Sequence, residues 1–406
     1  MSPGGAGEAK AWRLAVAFDC LYPLSTGGGE RFYGALAESF VRSGHRVEYL
    51  TRRQWTGAPP EMGGVEVRAV SGPSELYDDA GARRLRPAVR FAWGLFRHLA
   101  RHRSSYDVAL VSATPVLNIF AARLALLGSR TRLCSDFLEV WRREQWLEYS
   151  GAVVGRVALV LQRLAVRISP QASCHAQLMA RRLVAAGLRT PPIVSPGLIH
   201  QTAAVEANLE TREPPVVVFA GRHIPDKQVE TIPAAVAWAR RELPGLRATI
   251  LGDGQSRDAV RLEVRRLGLD DVVDLPGFVS ESELATVVRE AAVFVNPSRR
   301  EGYGLVVVEA SAAGTPVVVV EAEDNAAVEL VDDDVNGFVA SSTEPEVLGA
   351  AIVRAVRGGS GLRVRTRKWF EVAARERTVE AVARQLLDRL VRTDQSSAGR
   401  RPGPRP

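Results

Sequence analysis

Residues 216–227 read VVVFAGRHIPDK, a run of five apolar residues followed by a glycine and a polar loop. Short apolar runs of this kind are typical of strands that are covered on both faces, and such strands belong to parallel sheets. Similar apolar or β-branched runs recur along the chain, separated by longer helical patterns. They lie at residues 14–18, 46–51, 65–70, 108–112 and 131–134, and again at 248–251, 272–275, 293–296 and 317–320. This alternation predicts an α/β fold built on parallel sheets.

The alternation is interrupted between the two halves of the chain by a polar, proline-containing stretch from Pro191 to Pro215. A length of 406 residues has room for two domains of ordinary size. We therefore expect two Rossmann-like domains, at residues 1–200 and 201–392. Beyond Arg392 the sequence TDQSSAGRRPGPRP has no apolar periodicity, so residues 393–406 are expected to be a disordered tail.

Composition indicates the compartment and the kind of partner. The chain has 53 Lys and Arg against 46 Asp and Glu, a net charge of +7 that suits anionic ligands without requiring nucleic acid. Its three cysteines have the spacing neither of a disulfide framework nor of a zinc site. The first residues lack the apolar core of a signal peptide. These features favour a cytoplasmic protein without a bound metal.

Two segments bear on membrane contact. The longest apolar stretch, residues 152–168, is broken by glycine, glutamine and three arginines, so it is predicted to be a packed amphipathic helix and not a membrane span. The segment 82–103 contains seven arginines around Phe91, Trp93 and Phe96. It is either the solvated face of a helix or a site of peripheral contact with an anionic membrane surface.

Three consecutive glycines, Gly27, Gly28 and Gly29, precede a helical pattern in the first half. Glycines let a ligand approach the backbone closely, and the free amides at a helix N-terminus favour anions, although a tight turn without a ligand fits the same residues. The loop is not a dinucleotide fingerprint, because Phe32 occupies the position that the third glycine would need. A nicotinamide-dependent dehydrogenase is therefore disfavoured.

Charged residues follow two of the strands predicted in the second half. Arg222 and Lys227 lie five residues apart in the loop after residues 216–220, where two cations could hold a diphosphate. Glu301 and Glu309 flank a glycine-rich helix start after residues 293–296. Their carboxylates can accept hydrogen bonds from sugar hydroxyls, and the amides at Gly302 and Gly304 can face a phosphate. Together these residues indicate a nucleotide-sugar site.

Over most of its length the sequence resembles the retaining GT-B glycosyltransferases of family 4. The most specific part of the resemblance is the stretch from Pro297 to Val318, which is similar to the E-x7-E donor motif of that family. The glycine loop at 27–29, the Arg222 to Lys227 loop and the sequences GDG at 252–254 and LPGFV at 275–279 follow in the family's order.

The resemblance implies two Rossmann-like domains that face a cleft and a role for each matching residue. Arg222 and Lys227 would neutralise the departing diphosphate, Glu309 would bind the ribose and Glu301 the donor sugar. The donor would be a UDP- or GDP-linked sugar, with no separate cofactor and no metal ion. The remaining donor-binding positions would be Gly28, Gly29, Gly221, Gly302, Tyr303, Gly304 and Leu305.

The acceptor side departs from the family pattern, because Asp136 stands where many relatives have a His-Asp pair. We predict that Asp136 contacts the acceptor, since it follows the strand at 131–134 and open α/β sheets bind ligands at strand ends. Glu139 and Trp141 would line the same pocket and select a small polar acceptor or a glycan, although both also fit a structural role. His175 is interpreted as a structural residue.

Two alternatives to transfer use the same donor residues. A nucleotide-sugar epimerase or hydrolase would need the donor site but no separate acceptor. A protein that binds nucleotide-sugars without catalysis would not need Arg222, Lys227, Glu301 and Glu309 together.

Overall fold

A computed structural model of the chain describes residues 10–25, 27–76, 83–195 and 207–398, with the backbone alone for 392–398. Within these residues the chain divides into two compact units. The first takes the chain up to His175, from Met179 to residue 195 and from Val379 onward; the second takes Ala176–Leu178 and the chain from residue 207 to Thr378.

The first unit contains a seven-stranded parallel sheet in the order β3-β2-β1-β4-β5-β6-β7. The chain moves outward from β1 to β3 and then crosses to the other side of β1 to form β4, so the direction of winding changes between β1 and β4. The strands are β1 (Arg13–Ala17), β2 (Arg46–Arg52), β3 (Glu66–Ser71), β4 (Val108–Ser112), β5 (Arg132–Phe137), β6 (Gln171–Cys174) and β7 (Ile193–Val194).

Helices connect these strands and bury one face each against the sheet. Ala15 and Ala17 of the first strand face a core that also holds Phe91, Ile119 and Ala165, one from each of three successive helices. These three helices therefore form one layer on that face of the sheet. The helices are α1 (Gly28–Arg42), α2 (Leu85–Arg101), α3 (Leu117–Ala125), α4 (Arg143–Ile168) and α5 (Gln177–Ala185).

The second unit repeats the plan with a six-stranded parallel sheet in the order β10-β9-β8-β11-β13-β15. Its direction of winding changes between β8 and β11. The strands are β8 (Val216–Ala220), β9 (Arg247–Leu251), β10 (Val273–Gly277), β11 (Val293–Asn296), β13 (Val317–Val320) and β15 (Gly337–Ala340), with a separate short ladder of β12 (Arg300–Glu301) and β14 (Asp324–Asn325).

Helices cover this sheet as well, and its apolar strands pack against them. Val217, Phe219 and Ile250 from the strands meet Val236 and Ile352 from the helices in one buried cluster. The helices are α6 (Ile232–Ala239), α7 (Arg257–Arg266), α8 (Glu281–Glu290), α9 (Leu305–Ala312), α10 (Pro345–Arg357) and α11 (Gly359–Glu376).

The final helix, α12 (Val379–Ala398), packs with the first unit although it follows the second in sequence. It lies against α1, and Arg42 donates a hydrogen bond to Glu380. Its apolar residues recur at helical spacing and are buried: Val379, Val382, Ala383, Leu386, Leu387 and Leu390. This corrects the assignment of residues 379–392 to the C-terminal domain. It also extends regular structure past 393, where a disordered tail was predicted, because the helix continues to Ala398.

The α4 helix packs one face against the first unit, as predicted for residues 152–168, with Leu159, Ala165 and Val166 buried. Gly155 and Gln162 are buried, whereas Val153, Val157 and Val160 are exposed. The buried glutamine is satisfied: its side chain accepts a hydrogen bond from the backbone amide of Trp141 (3.0 Å) and donates to the carbonyl of the same residue (2.8 Å). A second apolar stripe of this helix therefore faces solvent.

The fold class predicted from the sequence, α/β with two parallel-sheet domains, is confirmed. Nine of the ten predicted strands end within two residues of the observed ones, and the run at 131–134 corresponds to β5. The pattern did not predict β6, β7, β12, β14 or β15, which have two to four residues each. The expected domain boundary near residue 200 lies outside the described residues. No helix in the described part of the chain is long and apolar enough to cross a membrane.

Candidate active site

The second unit gathers its polar loops where the winding of the sheet reverses. The loop after β8 and the loop after β11 leave the carboxyl ends of two adjacent parallel strands. Open α/β sheets bind their ligands at such a reversal, because the two loops diverge there and leave a crevice. The predicted donor residues Gly221, Arg222, Lys227 and Glu301 all lie in these two loops.

The two cations of the loop after β8 differ in exposure and in their hydrogen-bond partners. Arg222 is exposed and makes no side-chain hydrogen bond or ion pair with any residue that the structure describes. Lys227 ends a short 3-10 helix and pairs with Glu301. His223 between them is fully buried, and burial lowers its pKa, so it is neutral at pH 7 and does not add a third cation.

Gly252 lets the loop after β9 pass close to Gly221. A Cβ atom at Gly252, after β9, would collide with the carbonyl oxygen of Gly221, and Gly252 has a φ of +112°. The Gly221 amide donates to the carbonyl of Leu251 (3.2 Å). The backbone of Gly221 is thus fixed at the strand end by the loop beside it.

Glu301 is the centre of the polar network after β11. One of its oxygens accepts hydrogen bonds from Lys227, from Asn296 Nδ2 (3.1 Å) and from Ser298 Oγ (3.0 Å). Burial alone would raise the pKa of this carboxyl, but the Lys227 cation and the three hydrogen bonds hold it below the ordinary value of 4.5. Glu301 is therefore an ionised hydrogen-bond acceptor at neutral pH.

A second ion cluster joins the same two loops. Asp226 accepts hydrogen bonds from Arg299 Nε (3.1 Å) and from Arg300, and its carbonyl accepts from the Arg299 amide (2.9 Å). The β12–β14 ladder then fixes the backbone of Glu301 opposite Asn325. Asn325 donates to the Ser298 carbonyl (2.9 Å) and to the Val320 carbonyl (2.8 Å). The position of Glu301 is consequently determined on both sides.

The glycine-rich start of α9 follows directly. Gly304 caps the helix with a φ of +100°, and a Cβ there would lie 2.6 Å from the Ala327 Cβ, so both conformation and space require glycine. The Tyr303 side chain is buried, whereas Gly302 and Leu305 are partly exposed. Glu309, one turn into α9, is also partly exposed. The N-terminus of α9 and Glu309 thus follow Glu301 closely along the chain.

In the first unit, Gly28 and Gly29 form the first turn of α1, with Gly27 as the N-cap. A Cβ atom at Gly28 would meet nothing within 4 Å, which leaves open space beside that residue. A Cβ at Gly29 would lie 3.2 Å from Leu138 and from Phe18, so this glycine is needed for close packing. Of the two, Gly28 has room for a ligand.

Asp136 is buried and fully occupied. Its carboxylate accepts hydrogen bonds from Tyr33 Oη (2.5 Å) and Ser173 Oγ (2.5 Å), and His175 Nε2 lies 3.3 Å from Oδ2. With 1% of its surface exposed, the carboxylate contacts Tyr33, Ser173 and His175. The direct contact between Asp136 and an acceptor stays a prediction.

His175 supplies the histidine that the sequence around Asp136 lacks. It follows β6, the strand beside β5, and its Nδ1 lies 3.0 Å from the Ser195 carbonyl. Burial would lower the pKa of His175, but the charge and hydrogen bond of Asp136 raise it above 6.5. Burial would likewise raise the pKa of Asp136, and the His175 charge holds it below 3.8. The two groups form a buried ion pair, in line with the structural interpretation of His175.

Glu139 and Trp141, the predicted acceptor residues, lie together at the surface of the first unit. Trp141 donates its indole N–H to Glu139, and its ring packs on Trp146 (centroids 4.7 Å apart) and Tyr149 (5.1 Å). Glu139 and Tyr149 are exposed and the two tryptophans partly so. This aromatic cluster is not part of the core.

Sequence reasoning missed Asn296, Ser298, Asp226 and Asn325. Asn296 and Ser298 stand three to five residues before Glu301, so their place at a strand end was a usable signal. Asp226 and Asn325 act from other loops, and no local pattern marks them. Among the described residues no group of three or more His, Cys, Asp or Glu side chains could hold a metal ion.

Two family models match the chain. Residues 201–377 match glycosyl transferases group 1, and residues 27–197 match the glycosyl transferase 4-like domain. The D-inositol 3-phosphate glycosyltransferase of Segniliparus rotundus is 34% identical over 205 residues, which are 48% of this chain and 45% of that protein. The enzyme of the same name from Streptomyces scabiei is 29% identical over 78% of each chain. The chain spans less than half the length of several of these relatives.

Solved structures share the fold. The sucrose-phosphate synthase of Thermosynechococcus elongatus superposes with a TM-score of 0.73 and 18% identity, covering 95% of this chain and all of that one. HepE of Anabaena, solved in complex with UDP and glucose, superposes with a TM-score of 0.68 and 18% identity over 94% and 99% of the two chains. The likeness establishes the GT-B fold.

Proposed function

The chain belongs to the glycosyl transferases group 1 family, and we propose that it is a retaining enzyme that transfers a sugar from a UDP-sugar to a hydroxyl of a small polar acceptor. The observation that carries the proposal is the network at the winding reversal of the second unit. There Glu301 is held ionised by Lys227, and Arg222 lies exposed beside them in sequence.

The cations address the central difficulty of the reaction. When the bond between the sugar and the diphosphate breaks, negative charge develops on the leaving phosphate, and fixed cations stabilise that charge without needing to reorganise. Arg222 has no partner among the described residues, so its guanidinium can bind phosphate without first breaking an ion pair. Lys227 is kept in place by Glu301 and adds the second charge.

The carboxylates hold the rest of the donor. Glu301 uses one oxygen for Lys227, Asn296 and Ser298, and its second oxygen can accept hydrogen bonds from donor-sugar hydroxyls. Glu309 stands one turn into α9, where a carboxylate can accept from both ribose hydroxyls. Gly302, Tyr303, Gly304 and Leu305 bring backbone amides to the phosphates.

Relatives favour a uridine donor and a cyclitol-like acceptor. HepE is solved with UDP and glucose, and the curated relatives are named as transferases acting on D-inositol 3-phosphate. The exposed carboxylate of Glu139 and the aromatic face of Trp141 suit a compact hydroxylated ring. Gly28, which has open space beside it, would approach the donor from the first unit.

Product analysis tests the proposal. The purified chain is incubated with UDP-glucose or UDP-N-acetylglucosamine and with an inositol phosphate, and products are separated and examined by NMR. We expect an α-linked glycoside and UDP, with activity unchanged by EDTA. A β-linked product would contradict retention. Free sugar or an epimer as the sole product would point instead to a hydrolase or an epimerase.

Binding tests the donor residues separately. We expect Glu309→Gln to weaken UDP binding about tenfold in calorimetry, because a charge-assisted hydrogen bond is lost. Glu281→Gln, which changes an exposed glutamate on α8, is the matched control. Equal affinities for UDP in the two variants would remove Glu309 from the site.

A further inference from the structure

One face of α4 is apolar where it should be polar. Val153, Val157, Val160 and Leu164 follow the helical spacing i, i+4, i+7, i+11, so they form a single stripe. All four side chains are exposed, Val153 by 74% and Leu164 by 42%. A helix that is packed on one side normally presents polar residues to water on the other side. In this stripe the side chains that face water are apolar.

The neighbouring helices in the layer share the feature. On α2, Leu85, Val89 and Trp93 are spaced four residues apart and are exposed, Trp93 by 60%. On α3, Leu124 is exposed. More than half of the large hydrophobic side chains exposed in the described chain belong to these three helices, which pack side by side on one face of the first sheet. We call this outer surface the α2–α4 face.

On α2, on α3 and on α4 beyond Gly151, the charges of the α2–α4 face have one sign; the two glutamates of α4, Glu144 and Glu148, lie before the kink at Gly151. Arg156, Arg163 and Arg167 run along α4 beside the apolar stripe, and α2 carries four arginines on its exposed side: Arg86, Arg90, Arg97 and Arg101. None of these side chains forms an ion pair with a described residue. The sequence has no Asp or Glu between Tyr149 and Ser195, and only Asp107 between Arg83 and Ser135. Asp107 lies directly before the first residue of β4, and its carboxylate is 3.4 Å from the Nε atom of Arg13.

We propose that the α2–α4 face docks the protein on an anionic lipid bilayer. The apolar stripes would enter the boundary between headgroups and acyl chains, and the arginines would contact lipid phosphates. This partner matches both properties of the face at once. The inference is independent of the sugar donor and acceptor, because none of these residues belongs to the candidate active site.

Charge argues against a second copy of the chain as the partner. A two-fold contact through this face would oppose two surfaces on which arginines far outnumber carboxylates, so most of the arginines would lack a partner of opposite charge. An anionic bilayer supplies the negative charge that a second copy of this face would not.

Vesicle flotation with the full chain tests the docking. Vesicles of phosphatidylcholine alone are compared with vesicles of phosphatidylcholine and phosphatidylglycerol in equal amounts. We expect binding to the anionic vesicles only, weakened by added salt. R156Q/R163Q should weaken it about thirtyfold, since each arginine near an anionic surface contributes about fivefold. V157S/V160S should weaken it roughly tenfold or more through lost apolar burial.

The matched control is L262S/R265Q on α7, where an exposed leucine and an exposed arginine lie in the second unit, outside the α2–α4 face. It should bind vesicles like the unchanged protein, and all variants should keep their melting temperature and their transfer activity in solution. The proposal is overturned if the unchanged protein does not float with anionic vesicles, or if the control loses binding as much as the α4 variants. If light scattering shows a dimer and V157S/V160S converts it to a monomer, the partner is a second copy of the chain instead.

Discussion

A single side chain, Glu301, joins the two loops of the candidate donor site. It is buried enough for its charge to be costly, and Lys227 with two neutral donors offsets that cost. The pair is reciprocal, since Glu301 also fixes the Lys227 ammonium. Charge at this point is therefore preorganised before any ligand arrives.

Removing the lysine tests this preorganisation. In Lys227→Met we expect kcat to fall by about two to three orders of magnitude, because one cation facing the leaving diphosphate is lost. The affinity for UDP should change less, since Arg222 remains. Steady-state kinetics and calorimetry measure the two effects. Lys368→Met, at an exposed position on α11, is the control and should behave like the unchanged protein.

The Asp136–His175 pair makes stability depend on pH. Folding raises the pKa of His175 above 6.5, so its contribution to the free energy of unfolding is complete below pH 6.5 and is lost as pH rises through the folded pKa. Folding lowers the pKa of Asp136 below 3.8, so its contribution is present above pH 3.8 and is lost as pH falls through the folded pKa. The pair therefore stabilises the folded state most between pH 3.8 and pH 6.5.

His175→Gln, which cannot carry a charge, should reveal this window. We expect the variant to lose about 2 kcal/mol of unfolding free energy near pH 6, and progressively less as the pH rises. Urea denaturation across the pH range measures the difference. A loss that stays constant from pH 6 to alkaline pH would show that His175 is uncharged in the folded protein.

At the scale of elements, α11 is tied to the second unit by a buried arginine. Arg363 is 2% exposed and donates to three backbone carbonyls, those of Asn208 (2.7 Å), Arg289 (2.7 Å) and Ala291. Burial lowers its pKa to about 10, with a smaller effect from Arg212, so it stays charged at neutral pH. One side chain thus satisfies three carbonyls from two separate places in the chain, residue 208 and residues 289–291.

Arg363→Leu should leave those carbonyls buried without donors. We expect the second unit to lose about 3–5 kcal/mol of stability, as when one partner of a buried polar network is removed. Arg365→Leu, two residues along the same helix, removes an exposed pair with Asp334 and should cost about 1 kcal/mol or less. Denaturant unfolding followed by far-UV circular dichroism compares them, and equal losses would contradict the role given to Arg363.

For the whole molecule, the last helix belongs to the first unit. The buried residues of α12 pack with α1, and Gln385 donates to the Val194 carbonyl (3.2 Å). The chain therefore returns to its first unit after completing the second. The stability of the first unit depends on residues at the opposite end of the sequence.

Hydrogen exchange can locate this dependence. In Leu386→Ala we expect a loss of about 2–5 kcal/mol, and faster exchange in α1 and β1 but not in α6 or α10. Leu262→Ala, at an exposed position on α7, is the control and should leave exchange in both units unchanged. If α6 and α10 lose protection and α1 does not, α12 stabilises the second unit instead.

The sequence alone determined the two parallel sheets and the position of the donor loops. Both follow from short-range properties. A strand that is buried on both faces must be apolar along its length, as at 216–220. The polar residues that directly follow such a strand in the sequence then lie in the loop at its carboxyl end. Order along the chain then places Arg222, Lys227, Glu301 and Glu309 after two such strands.

Only the tertiary structure decided which side chains meet. Asp136 and His175 come from adjacent strands and lie 39 residues apart, so no local pattern links them. The helical period of residues 152–168 shows an amphipathic helix, but the sheet's position decides that Gln162 is buried and Val157 exposed. Likewise the apolar spacing of α12 requires a partner, and the choice of α1 as that partner is a long-range packing outcome.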